Sequence, residues 1–158
     1  MATAATNLSE FDKTALPDAS SLNFGIVVSE WNADITEALC QGAIDTLRAC
    51  GVPSDQIKRI NVPGSFELVY GSKLMQGQNV DAVIAIGSVI QGETRHFEFV
   101  CQAVAAGIKD LNVRAEIPVI FCVLTDNNHQ QAVDRSGGKH GNKGVEAAVA
   151  AIKMASLK

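Results

Sequence analysis

Two apolar rhythms alternate along the chain. Residues 24–28, 57–62, 81–87 and 117–124 are short apolar runs rich in Val and Ile, which is how strands buried on both faces read. Between them apolar residues return every three or four positions, as along one face of a helix. Ile35, Ala38, Leu39, Gly42, Ala43 and Leu47 predict a first helix, ended by Gly51 and Pro53. Phe66, Val69, Tyr70 and Leu74 predict a second, ending near Gly77. Phe97, Val100, Cys101, Val104, Ala105, Ile108 and Leu111 predict a third, with Thr94 as its N-cap. A short helix over 128–135 and a longer one carrying Val145, Ala148, Val149 and Ile152 close the chain, with a Gly-rich kink over 137–144 between them. Pro118 stands at the start of the fourth strand, where a missing donor is tolerated. Strands that alternate with helices predict an α/β fold, a parallel sheet covered on both faces by right-handed crossovers. Residues 1–22 show no sustained period and read as a loosely attached arm, whose Leu8, Phe11 and Leu16 could dock on a neighbour. The domain proper is expected over residues 23–158.

Ligands of such folds bind beyond the carboxyl ends of the strands. That rule selects residues 29–32, 63–67, 88–96 and 125–127. Trp31, the sole Trp, sits at the first of these ends, where it is either a platform for a planar ligand or a packed corner residue. Glu67 falls in a first helical turn, as dipole compensation or as an acceptor for hydroxyl groups. Backbone N–H groups around Gly92, Glu93 and Thr94 would point out of a helix start and could hold an anion. His96 would follow in the first turn, either a base facing that site or a surface residue without a role. Arg135, Lys139 and Lys143 supply three cations within nine residues, a solvated helix end or an anion partner.

Composition removes several alternatives. The chain has 158 residues, 47% hydrophobic and 19% charged, which fits one globular domain. A net charge of −4 without a long basic run argues against nucleic acid. Cys40, Cys50, Cys101 and Cys122 lack CxxC spacing and read as small core residues of a reduced compartment. No apolar run approaches the ~20 residues that span a bilayer, and no signal-like segment opens the chain, so a cytoplasmic protein is expected. No GxGxxG follows a strand, GGKHGNKG lacks phosphate-loop spacing, GxSxG is absent, and the histidines are too scattered to argue for a metal.

Five blocks then carry a resemblance: GIVVSEWN, VPGSFEL, IGSVIQGETRHFEFV, PVIFCVLT and AVDRSGGKHGNKGVEAAVAAIKM. In this order they resemble the 6,7-dimethyl-8-ribityllumazine synthase family of riboflavin biosynthesis. The resemblance implies a flavodoxin-like three-layer α/β/α sandwich with a four-stranded parallel sheet. It implies condensation of 5-amino-6-(D-ribitylamino)uracil with L-3,4-dihydroxy-2-butanone 4-phosphate, with release of phosphate and water and no metal or organic cofactor. By motif, Trp31 resembles the aromatic that stacks on the pyrimidine, and Ser65, Phe66 and Glu67 the segment that holds the ribityl chain. Ser88, Val89 and Ile90 resemble the backbone that reads the pyrimidine edge, and Lys143 a lysine near its carbonyl. Glu93 and Thr94 resemble the phosphate turn, completed by Arg135; His96 resembles the proton-transfer histidine, and Phe121 an aromatic supplied by a neighbouring subunit. Gln91 replaces a frequent Arg, which Arg95 partly restores. The resemblance also implies sites at subunit interfaces of a homo-oligomer, a pentamer and, from the compact GGKHGN kink, a 60-subunit icosahedral shell, with riboflavin synthase as a further partner. The competing readings are a binding or shell protein of the same fold that holds flavin or lumazine without making it, and an electron-transfer flavoprotein of similar layout. His96, Arg135 and Lys143 together speak against a pure binder.

Overall fold

Alternate residues of the central strands face opposite ways, and the core divides accordingly. The computed structural model describes residues 7–157. In β1 (Phe24–Ser29), Phe24, Ile26 and Val28 join one apolar cluster and Val27 the other. In β3 (Ala82–Ile90), Ile84 and Ile86 join the first, Val83 and Ala85 the second. β2 (Ile57–Val62) and β4 (Val119–Asp126) complete a parallel sheet in the order β2-β1-β3-β4. The first face is covered by α1 (Ala33–Ala49) and α5 (Lys143–Ala155) through fully buried Leu39, Ala43, Leu47, Ala148 and Ile152. The second is covered by α2 (Leu68–Gln76) and α3 (His96–Arg114) through Leu68, Met75, Val104 and Ile108. This is the expected three-layer, flavodoxin-like arrangement.

Small residues set the closest approach. A Cβ at Gly144 would fall on the carbonyl oxygen of Leu39, so α5 meets the backbone of α1. A Cβ at Gly87 would come within 2.7 Å of Ser65 Oγ and 2.8 Å of Leu68 Cδ1. Gly87 is therefore a point of contact with the start of α2, and not the end of the third strand. That strand runs on to Ile90 because Gly87 to Ile90 pair in register with Val123 to Asp126 of β4.

Other boundaries shift for comparable reasons. The fourth strand begins at Val119; Pro118 precedes it and accepts from Val83 N at 2.8 Å. The N-cap of α3 is Arg95, without a side-chain cap bond, while Thr94 Oγ1 accepts from His96 N at 3.4 Å. Asn128 caps α4 (His129–Arg135) by accepting from Gln131 N at 3.0 Å. The expected kink is a small antiparallel pair, β5 (Ser136–Gly138) and β6 (Gly141–Asn142), with Gly137 at φ 127° and Gly141 at φ 82°.

Residues 1–6 of the expected arm lie outside the described residues. The rest of it lies on its own chain: Leu8 and Ala19 are buried, Leu8 N donates to His140 O at 2.8 Å, and Asn142 N donates to Ser9 Oγ at 2.9 Å. Isolated anchors of this kind leave no period in the sequence.

Candidate functional site

Three strand ends build one cavity. Beyond β1, Glu30 N donates to Val62 O at 2.8 Å, which turns the chain outward, and Trp31 follows with 71% of its surface exposed. Asn32 then takes the left-handed conformation, φ 56° and ψ 52°, and α1 begins. Beyond β2, a turn at residues 63–64 presents Ser65, Phe66 and Glu67 ahead of α2, with Leu68 N donating to Ser65 O at 3.2 Å. Beyond β3, Gln91 N donates to Asp126 O at 2.9 Å, and the chain turns through residues 92–95 into α3, whose first residue is His96.

These segments enclose about 530 Å³, bordered by Trp31, Ser65, Phe66, Glu67, Ser88, Val89, Ile90, Thr94 and His96 among others. Every one was singled out from the sequence. Phe97 and Val100 also border the space, and sequence reasoning assigned them to the buried stripe of α3. Their half-buried state was legible in principle: they begin the stripe at a strand end, where a helix face borders the ligand instead of the sheet.

Four expected site residues lie elsewhere. Glu93 does not border the cavity, although its turn does through Gly92 and Thr94. Arg135 and Lys143 line a separate depression with Thr125, Asp126, Asn127 and Gln131. Phe121 borders apolar depressions beside Asn112 and Val119 and is exposed.

The cavity offers a defined set of interactions. Ser65 and Ser88 border the cavity, and their buried hydroxyls have no hydrogen-bond partner among the described residues. Trp31 and Phe66 expose aromatic surface to a planar group. The start of α3 leaves backbone donors whose natural partner is an anion. His96 is exposed at that start. The other two histidines are engaged elsewhere: His129 Nε2 lies 2.7 Å from Asp34 Oδ2, and the His140 backbone holds the arm and Asp134.

In the second depression Arg135 donates to Gln131 O at 3.0 Å and lies 3.9 Å from Asp126 Oδ1. Asp126 is buried, and its Oδ2 has no hydrogen-bond partner among the described residues. Burial pushes its carboxyl above the ordinary aspartate range, and the Arg135 guanidinium opposes that rise. Lys143 pairs with Glu146 one turn along α5. The cysteines take no part: burial pushes the Cys122 thiol up to about 12, and Cys40, Cys50 and Cys101 are also raised by burial. Among the described residues no group of three His, Cys, Asp or Glu is placed to hold a metal ion, and no helix is long and apolar enough to cross a membrane.

The sequence profile of the 6,7-dimethyl-8-ribityllumazine synthase family matches residues 21–158. A protein of that name from Flavobacterium johnsoniae is 67% identical, over 100% of this chain and 84% of its own length. Another from Christiangramia forsetii is 62% identical, over 100% of this chain and 95% of its own. A third, from Parabacteroides distasonis, is 53% identical over 99% of both chains.

Proposed function

The chain belongs to the 6,7-dimethyl-8-ribityllumazine synthase family, and we propose that the cavity at its strand ends is one half of the active site. The activity is the penultimate step of riboflavin biosynthesis: 5-amino-6-(D-ribitylamino)uracil and L-3,4-dihydroxy-2-butanone 4-phosphate give the lumazine, phosphate and water. The observation that carries the proposed site is the sorting of its residues. Those from three strand ends share one cavity, whereas Phe121, Arg135 and Lys143 border other depressions of the same chain.

In this reading Trp31 stacks on the pyrimidine, and the Ser88, Val89 and Ile90 backbone reads its edge. Ser65, Phe66 and Glu67 take the ribityl chain, matching hydroxyls to the Ser65 hydroxyl and the Glu67 carboxylate. The phosphate lies against the turn of Glu93 and Thr94, where helix-start amides favour an anion. A second copy brings Arg135, whose planar fork suits a phosphate. The same copy places Lys143 near the pyrimidine carbonyl and Phe121 over the ring.

Two bound substrates held in register gain most from placement, since an amine and a ketone react once brought together. The amine adds to the carbonyl and a first water leaves to give an imine; phosphate is then eliminated, and the ribitylamino nitrogen adds to the remaining carbonyl and expels a second water as the ring closes. His96 moves the protons these steps require.

A homo-oligomer follows from the divided site, and the exposed apolar surface supports it. Phe66, Tyr70 and Leu74 form one exposed stripe at the start and along α2, and Phe99 and Val113 are exposed on α3. We take the assembly to be pentamers, closed into a 60-subunit shell, acting in the cytoplasm, with residues 23–158 as the catalytic domain and 1–22 as an arm. The test is to mix the purified chain with both substrates and follow the lumazine by absorbance. Product above the spontaneous background, reduced in Arg135→Ala through a raised KM for the phosphate substrate, supports the assignment; an unchanged KM in that variant removes Arg135 from the site.

A further inference from the structure

We infer that Asn32, which does not itself border the cavity, is a positioning residue that sets the strand edge on which the pyrimidine is read; this rests on the active-site assignment above. Its carboxamide Nδ2 donates to Ser88 O at 3.0 Å. β1 and β3 stop pairing at Val28 and Ile86, while β3 continues to Ile90 along β4. Beyond Ile86, then, the β1 side of β3 is an open edge. Asn32 occupies the rung that a longer β1 would have filled at Ser88. Backbone groups of residues two apart on a strand face the same edge. Fixing Ser88 therefore fixes Ile90, whose backbone groups stay open on that edge for a ligand.

The same residue also fixes Trp31. Asn32 is the only non-Gly residue at positive φ among those described. Its own carbonyl accepts from Ile35 N and Thr36 N, both at 3.0 Å, and opens α1. Thr36 Oγ1 in turn donates to buried Ser29 O at 2.8 Å, and Trp31 N donates to Ser29 Oγ at 3.3 Å. The exposed indole is thus carried on a turn tied to β1, to α1 and, through Asn32, to β3.

The residue type is nearly forced. Gly, Asn and Asp tolerate the left-handed region, and of these Asn alone brings a donor to a carbonyl oxygen. Asp would set an acceptor against an acceptor, and Gly would leave the rung empty.

The test uses Asn32→Asp and Asn32→Gly in the full chain, with KM for each substrate, kcat and thermal stability measured for both. The expected result is a rise of about tenfold in KM for the ribitylaminouracil in both variants, the scale of one lost hydrogen bond to a buried acceptor. KM for the butanone phosphate stays within about twofold, and Asn32→Gly stays folded at the assay temperature, because Gly accepts the same φ and only the side-chain hydrogen bond is lost. Unchanged pyrimidine KM in Asn32→Gly overturns the inference. So does a parallel loss in both KM values and kcat that tracks lost stability. If Asn32→Asp does not fold, Asn32→Gly decides alone. A parent chain that forms no lumazine would instead refute the active-site assignment.

Discussion

Of the three histidines, His96 alone borders the cavity, and in the proposed site it is the residue that moves the protons of the condensation. We expect His96→Ala to be slowed by about 10²- to 10⁴-fold and still to exceed the spontaneous rate, because placement of the substrates survives. An inactive variant that binds both substrates would contradict this. Asp126 makes a prediction of another kind. Its folded carboxyl is raised by burial, so its favourable contribution is present below the unfolded aspartate value and is lost as pH rises through the folded one. Asp126→Asn escapes that loss. The difference in melting temperature, variant minus parent, should grow as pH rises from about 4 to about 7, and a constant difference would contradict the assignment. Single residues were legible in the sequence where chemistry and strand end coincided, as for Trp31, Glu67 and His96. Asn32 was not singled out, since a polar turn residue announces nothing until the strand edge it completes is known.

Helices and strands were legible because their periods are set by local geometry, and what the sequence hid was set by contacts between elements. β3 runs three residues past Gly87 because β4 lies beside it, and the hairpin of β5 and β6 is too short to show alternation. The contact of α1 with α5 gives a sharp test. Ala is ordinarily preferred to Gly within a helix, yet a Cβ at position 144 meets the Leu39 backbone, which cannot move aside as a flexible side chain would. Gly144→Ala should lose about 1–3 kcal/mol by urea denaturation, the usual cost of overpacking. A gain in stability would mean that α5 does not sit this close to α1.

Among the described residues, Tyr70 and Leu74 on α2 and Phe99 and Val113 on α3 are exposed, apolar surface that the proposed oligomer would cover. Within α3 only Val104 and Ile108 are buried among nineteen residues, although the sequence stripe is longer. The surplus was visible as a stripe, but a sequence does not say whether its own chain or a neighbour covers it. Tyr70→Glu with Leu74→Glu should lower the molar mass measured by light scattering while the circular dichroism of the helices is kept. An unchanged mass would place the subunit contacts elsewhere.

The division of the site between chains is tested most directly by mixing two damaged versions. His96→Ala and Arg135→Ala chains, unfolded together and co-assembled, would produce some sites with His96 from one chain and Arg135 from its neighbour. Lumazine formation by the co-assembled protein should then exceed the average of the two variants assembled separately. Activity equal to that average would mean that each site takes both residues from one chain, and the divided site would be wrong.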